Sequence, residues 1–176
     1  INESKARQMT KKAKDLRKVC DGDGLLAEGV DARLGEDKRN NGGGYTAHDH
    51  DCRKDAIDRS KRAIDRANSL ATELLVLWLA REGTYIRESK DSKLATERIV
   101  YAINQMLDYD PKIRVCIEPK PNEPMDHTYI PTTGHAIALS LLCIDPKRIG
   151  VNIESAHSIL AGLDPSDEMG FALSFN

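Results

Sequence analysis

Four short apolar runs, Leu25 to Val30, Leu74 to Leu79, Ile113 to Ile117 and Ile149 to Ile153, start 49, 39 and 36 residues apart, and each follows a charged stretch of helical period. Runs this short and this uniformly apolar are strands buried on both faces. Such strands, separated by helices, form βαβ units with a parallel sheet and right-handed crossovers. The spacing predicts an α/β fold of four βα units in one domain. An eight-unit barrel takes about 250 residues or more, so the spacing alone leaves open a small doubly wound sheet and half of a barrel.

The helical stretches are explicit. From Asp51 to Ala71, residues Ala56, Ile57, Ala63, Ile64, Ala67 and Leu70 share one face, with Arg53, Lys54, Asp58, Arg59, Lys61 and Arg62 on the other. Thr46 is the expected cap, with Asp49 three residues later. Further helices are expected from Ser92 to Leu107 and from Gly134 to Leu142, the latter closed by Asp145 and Pro146. The chain opens with a basic run, Lys5 to Lys18, which reads as the solvated face of a surface helix; no aromatic is interleaved for base stacking.

Composition removes several classes of function. Lys and Arg number 26 against 28 Asp and Glu, so no net field draws the molecule to nucleic acid or anionic lipid. The longest apolar stretch, Leu74 to Ala80, is far short of the roughly 18 residues that span a membrane, and no signal-like segment opens the sequence. Cys20, Cys52, Cys116 and Cys143 lack the density and pairing of a secreted scaffold and are expected as free thiols in a reducing cytosol. A cytoplasmic protein with no nucleic-acid or membrane partner is the expectation.

The most informative segment is Ile117-Glu118-Pro119-Lys120-Pro121-Asn122-Glu123-Pro124. Glu118, Lys120 and Glu123 each precede a proline, which pushes them out of the helical region into extended backbone. Glu118 and Lys120, two apart, therefore share a face, a carboxylate beside an ammonium at the carboxyl end of a parallel strand, where α/β proteins place their sites. A Pro-rich surface loop or a PxxP ligand is the alternative. Glu154 and His157 lie just past the last strand, and a carboxylate and an imidazole three residues apart can reach one divalent ion or a close pair. A surface Glu and a hydrogen-bonded His read the same way in isolation; convergence with Glu118 on adjacent strand ends favours ligands. Trp78, the sole tryptophan, ends another strand and suits either a sugar-facing wall or the core. His48-Asp49-His50-Asp51-Cys52 looks metal-binding but stands where a helix starts, and Asp21-Gly22-Asp23-Gly24 lacks later calcium-loop ligands and reads as a turn.

These residues resemble the xylose isomerases and related metal-dependent sugar isomerases of the TIM-barrel type. Ile117 to Pro124 looks like that family's signature. Gly43-Gly44-Tyr45-Thr46, Val76-Leu77-Trp78 with Arg81-Glu82-Gly83, Pro131 to Ala136, and Gly150 to His157 with Ala161-Gly162 extend the likeness over roughly residues 42 to 170, with 1 to 41 matching poorly. The resemblance implies the third to sixth units of a parallel (β/α)8 TIM barrel, a single partial domain over residues 1 to 176. The ring-opening His would precede this stretch and further aspartate ligands would follow Asn176. It implies two divalent ions, Mg, Mn or Co. Glu118 would bind the structural one, Glu154 would bridge both and His157 would bind the second, catalytic one. Lys120 would hold the carbonyl end of a small sugar, and Trp78 with Tyr45, where the family has Phe, would form the apolar wall. It implies a cis Glu123-Pro124 bond and, by family habit, a homo-oligomer, dimer or tetramer. The activity implied is aldose to ketose interconversion by a 1,2-hydride shift; a non-catalytic half-barrel with partial metal or sugar binding is the alternative. The family usually has Gly where Ala71 stands.

Overall fold

The computed structural model describes residues 3–35 and 37–175. Its main sheet is parallel, in the order β1 (Val30–Asp31), β2 (Leu74–Trp78), β4 (Arg114–Glu118), β6 (Ile149–Val151). Helices α2 (His50–Ser69), α3 (Ser92–Tyr109) and α4 (Thr133–Ser140) connect consecutive strands, and α5 (Ser155–Leu160) and α6 (Pro165–Leu173) follow the last. Helix α1 (Glu3–Gly22) precedes the sheet. The second, two-stranded antiparallel sheet pairs β3 (Gly83–Thr84) with β5 (His127–Thr128). The chain is thus an α/β protein of four βα units, a portion of a barrel.

Alternation along the strands divides the main sheet into two faces. Leu75, Leu77, Val115 and Ile117 are fully buried against the helices, where they meet Ile64 of α2 and Ile99, Ile103 and Met106 of α3. Each such side chain contributes about 1.5–3 kcal/mol. Val76, Trp78, Cys116 and Glu118 point to the other face and are only half-buried, because four strands leave that face uncovered. Burial there still raises the Cys116 thiol above its ordinary pKa. All four cysteines are free, and among the described residues no helix is long and apolar enough to cross a membrane.

Two local expectations are corrected. The first strand lies at Val30–Asp31, not Leu25 to Val30. Leu25 and Leu26 are 59% and 89% exposed, because the chain is still turning out of α1 there, with Leu25 N donating to Cys20 O at 2.8 Å. The cap of α2 is Asp49, whose carboxylate accepts from Cys52 N at 2.7 Å. Thr46 is drawn away by a stronger acceptor, the Glu82 carboxylate. The basic run behaves as expected: Lys11, Lys12, Lys14 and Lys18 of α1 are exposed while Ala13 is buried. Lys5 and Arg7 lie outside the residues whose side chains are described.

The end of α2 explains the departure at Ala71. Thr72 N donates to Ala67 O and Ala71 N to Asn68 O, both near 3.0 Å, the two bonds of a Schellman closure. That closure forces Ala71 to φ 55°, the left-handed region where a Cβ is strained. Ala71→Gly is therefore expected to stabilise the fold by about 1 kcal/mol, raising the melting temperature by about 2–4 °C. A calorimetric scan showing no gain would contradict this account of the closure.

Arg148 pins the far side of the sheet. Its guanidinium donates to Leu107 O, Asp110 O and Ile113 O at 3.0–3.2 Å and pairs with Asp145 at 2.9 Å. It thereby satisfies the carboxyl end of α3 and fixes the entry to β4.

Candidate functional site

The carboxyl ends of the strands carry the polar side chains of the half-open face. Trp78 and Glu118 are register partners at the ends of β2 and β4, so alternation alone sets indole beside carboxylate. One residue beyond β6, Asn152 N continues the ladder to Ile117 O at 2.9 Å. The Asn152 side chain falls on the same face, and its Nδ2 donates to Glu118 Oε2 at 2.8 Å. The other carboxylate oxygen, Oε1, stands 3.5 Å from Nδ1 of His157, which the first turn of α5 projects toward the sheet. That ring nitrogen is buried and has no hydrogen-bond partner.

Glu118, His157, Glu154 and Trp78 line one cavity of about 510 Å³, together with Asp31, Arg33, Gly35, Arg81, Pro124 and Ala156. Glu154 is exposed and serves as the cap of α5, its Oε1 accepting from Ala156 N at 3.2 Å. Of the three expected metal ligands, the structure brings Glu118 and His157 into contact and leaves Glu154 on the same cavity wall, turned to the helix. Among the described residues no group of three His, Cys, Asp or Glu side chains is gathered as if around an ion. The donor set fits a divalent cation in kind: carboxylate oxygens and one imidazole nitrogen, the latter buried beside Glu118 without a hydrogen-bond partner. It is incomplete in number.

Lys120 lies where the two-residue spacing from Glu118 puts it. Its Nζ is 5.4 Å from the Trp78 ring centroid and 3.9 Å from Glu123 Oε2, and its side chain is 14% exposed. The segment that carries it bends at a cis Glu123–Pro124 bond. The return strand holds that segment in place: Thr128 Oγ1 donates to Lys120 O at 2.6 Å, and Lys120 N to Ile130 O at 3.2 Å.

Tyr45 is not brought to this cavity. It is 1% exposed, and its hydroxyl bonds Ser60 Oγ on α2 at 2.6 Å. A phenol in the core needs a polar partner that a phenylalanine does not; α2 supplies one, and burial pushes the phenol's pKa upward. The expected apolar wall is thus Trp78 without Tyr45. The His48 to Cys52 cluster is the start of α2, with Asp49 as its cap and His48 Nε2 on Ser89 O at 2.8 Å.

Sequence reasoning gave no role to Asn152, Arg81 or Glu82. Glu82 is 2% exposed. Its carboxylate accepts from Gly44 N, Tyr45 N, Thr46 N and Thr46 Oγ1 at 2.7–3.0 Å. Lys90 Nζ donates to the same Thr46 hydroxyl at 3.0 Å and to Gly83 O at 3.2 Å. Burial holds the Lys90 ammonium below its ordinary pKa. The only signal was the co-occurrence of a glycine-rich turn and an Arg-Glu-Gly strand end, which says nothing about contact between them.

A parallel sheet flanked by helices, with carboxylate, imidazole and ammonium side chains at the carboxyl ends of its strands, defines a (β/α)8-type barrel site, here four units of it. The chain belongs to the xylose isomerase-like TIM barrel family, which it matches over residues 3–174. Among solved structures it is similar to protein SMc04130 from Sinorhizobium meliloti 1021, with 26% identity and a TM-score of 0.61 over 82% of this chain and 49% of that one. It is also similar to the 3-keto-D-glucoside 4-epimerase YcjR from E. coli, with 12% identity and a TM-score of 0.74 over 96% and 63%. A D-tagatose 3-epimerase-like protein aligns with 18% identity and a TM-score of 0.73 over 92% and 57%. The chain spans about half to three fifths of the length of these structures.

Proposed function

We propose that the chain carries part of the active site of a metal-dependent sugar isomerase or epimerase, and within that class an aldose–ketose isomerase working by a 1,2-hydride shift. The observation that carries the reading is the Glu118–His157 contact at 3.5 Å, set beside Trp78 with the Lys120 ammonium over its ring. Glu118, His157 and Glu154 would hold the divalent ions, Mg, Mn or Co. The ions would offset the charge that develops on two neighbouring substrate oxygens. Asn152 orients the Glu118 carboxylate through its 2.8 Å bond, so that one oxygen stays aimed into the cavity. Lys120 holds the carbonyl end of an open-chain sugar by a charge-assisted hydrogen bond. Trp78 covers the apolar edge of the substrate and keeps water from the reacting carbons.

The test is Mn titration followed by electron paramagnetic resonance. Wild-type protein is expected to bind Mn, with Glu118→Gln weakening binding about 10–100-fold or more and Glu154→Gln weakening it less, since that carboxylate faces its own helix. Binding in wild type no tighter than in Glu118→Gln would refute the metal assignment. Epimerisation is the second reading, favoured by the names of two similar structures. In deuterated solvent an epimerase incorporates deuterium at the carbon it inverts, whereas a hydride shift retains the original hydrogen.

A further inference from the structure

Among the described residues two guanidinium groups line the cavity and a lysine stands over its tryptophan, and two of these three cations have carboxylate partners. Arg33 Nε stands 3.4 Å from Asp31 Oδ2, and Lys120 is shared between Glu123 and the Trp78 ring. Arg81 also lines the cavity, only partly exposed, and among the described residues it makes no hydrogen bond or ion pair. Its side chain lies flat against Gly35: a Cβ there would meet Arg81 Nε at 3.3 Å and Cδ at 3.4 Å. The glycine therefore makes room for the guanidinium at the cavity wall. The carboxylates that could have neutralised it are otherwise engaged, Glu118 by Asn152 and His157 and Glu154 by the α5 amide.

A guanidinium with no protein acceptor, its nitrogens open to the cavity, is solvated when the site is empty and can exchange that water for an anionic group. Its fork of parallel N–H groups matches a carboxylate or phosphate in two bonds, and a sugar hydroxyl offers no such match. A cavity of about 510 Å³ has room for a hexose-sized ligand with an anionic group. We propose that Arg81 binds a carboxylate or phosphate carried by the sugar, so that the substrate is a sugar acid or a sugar phosphate. This rests on the sugar-site reading above.

Trp78, the only tryptophan, lines the same cavity and reports occupancy by its fluorescence without turnover. Titrations in Mg-containing buffer would compare D-glucose, D-gluconate and D-glucose 6-phosphate. At least one anion is expected to bind about tenfold tighter than glucose, and the tighter of the two identifies carboxylate or phosphate as the source. Arg81→Met should remove that preference while leaving glucose affinity within about twofold, and Arg81→Lys should keep an intermediate preference, since an ammonium retains the charge but loses the fork. Equal affinities for all three ligands, an unchanged preference in Arg81→Met, or a silent Trp78 in every titration overturns the proposal. Mn binding that is lost in Glu118→Gln under the same conditions would show that the metal reading stands although the anion assignment has failed.

Discussion

Replacing Glu82 by alanine is expected to destabilise the protein by about 4 kcal/mol, since it breaks a buried, multiply bonded charge, and so to lower the melting temperature by about 8–16 °C. Four donors converge on that carboxylate at 2.7–3.0 Å: three successive backbone amides, Gly44 to Thr46, and the Thr46 hydroxyl. Alanine would leave those amides without an acceptor in a region closed to water, and it would strip the half-buried Lys90 ammonium of its nearby anion. Glu82→Gln keeps the shape and one good acceptor but presents an NH2 group to donors, so it should cost about half as much. Chemical denaturation of the two variants separates these terms. A Glu82→Ala protein that melts within about 2 °C of wild type, no more than the usual shift for a single kilocalorie at this size, would show that the cradle does not hold the loop.

The second large effect is expected at the next residue. A Cβ added to Gly83 would lie 2.2 Å from His127 O and 2.8 Å from Thr128 Cα. Both are backbone atoms of the paired strand, so no side chain can rotate away. Gly83→Ala must therefore separate β3 from β5, at a cost of about 3 kcal/mol or more. The consequence reaches the cavity because Thr128, in that pair, anchors the carbonyls of Lys120 and Pro121. Loss of order in residues 119–128 should appear as faster backbone hydrogen exchange there, with the α2 and α3 helices still protected. Unchanged exchange across 119–128 would contradict the role given to this pairing.

These two neighbours show what a sequence can and cannot disclose. The helix from residue 51, the strands at 74 and 114 and the placement of Glu118 and Lys120 on one face follow from period and from proline sterics, which act within a few residues. Gly43 to Thr46 and Arg81 to Gly83 were each noticeable as motifs, yet Glu82 gained a role only when folding brought segments 36–38 residues apart into contact. Thr46 was misread for the same reason: a local rule made it a cap, and a distant carboxylate outcompeted that rule. Leu25 and Leu26 failed differently, since an apolar run carries no information about where its strand pairs. Tyr45 lies in the core with its hydroxyl on Ser60, a placement that the glycine-rich motif around it does not disclose.

The division of the sheet into two faces has an evolutionary corollary. Leu75, Leu77, Val115 and Ile117 face the helices, while the residues interleaved with them, Val76, Cys116 and Glu118, face the cavity side. Packing and the cavity side thus draw on alternate letters of the same five-residue words. A substitution at one parity changes the cavity side while the other parity keeps the strands packed against the helices. Sequence identity can therefore drift to the low values seen between this chain and its structural relatives while the backbone trace stays superimposable.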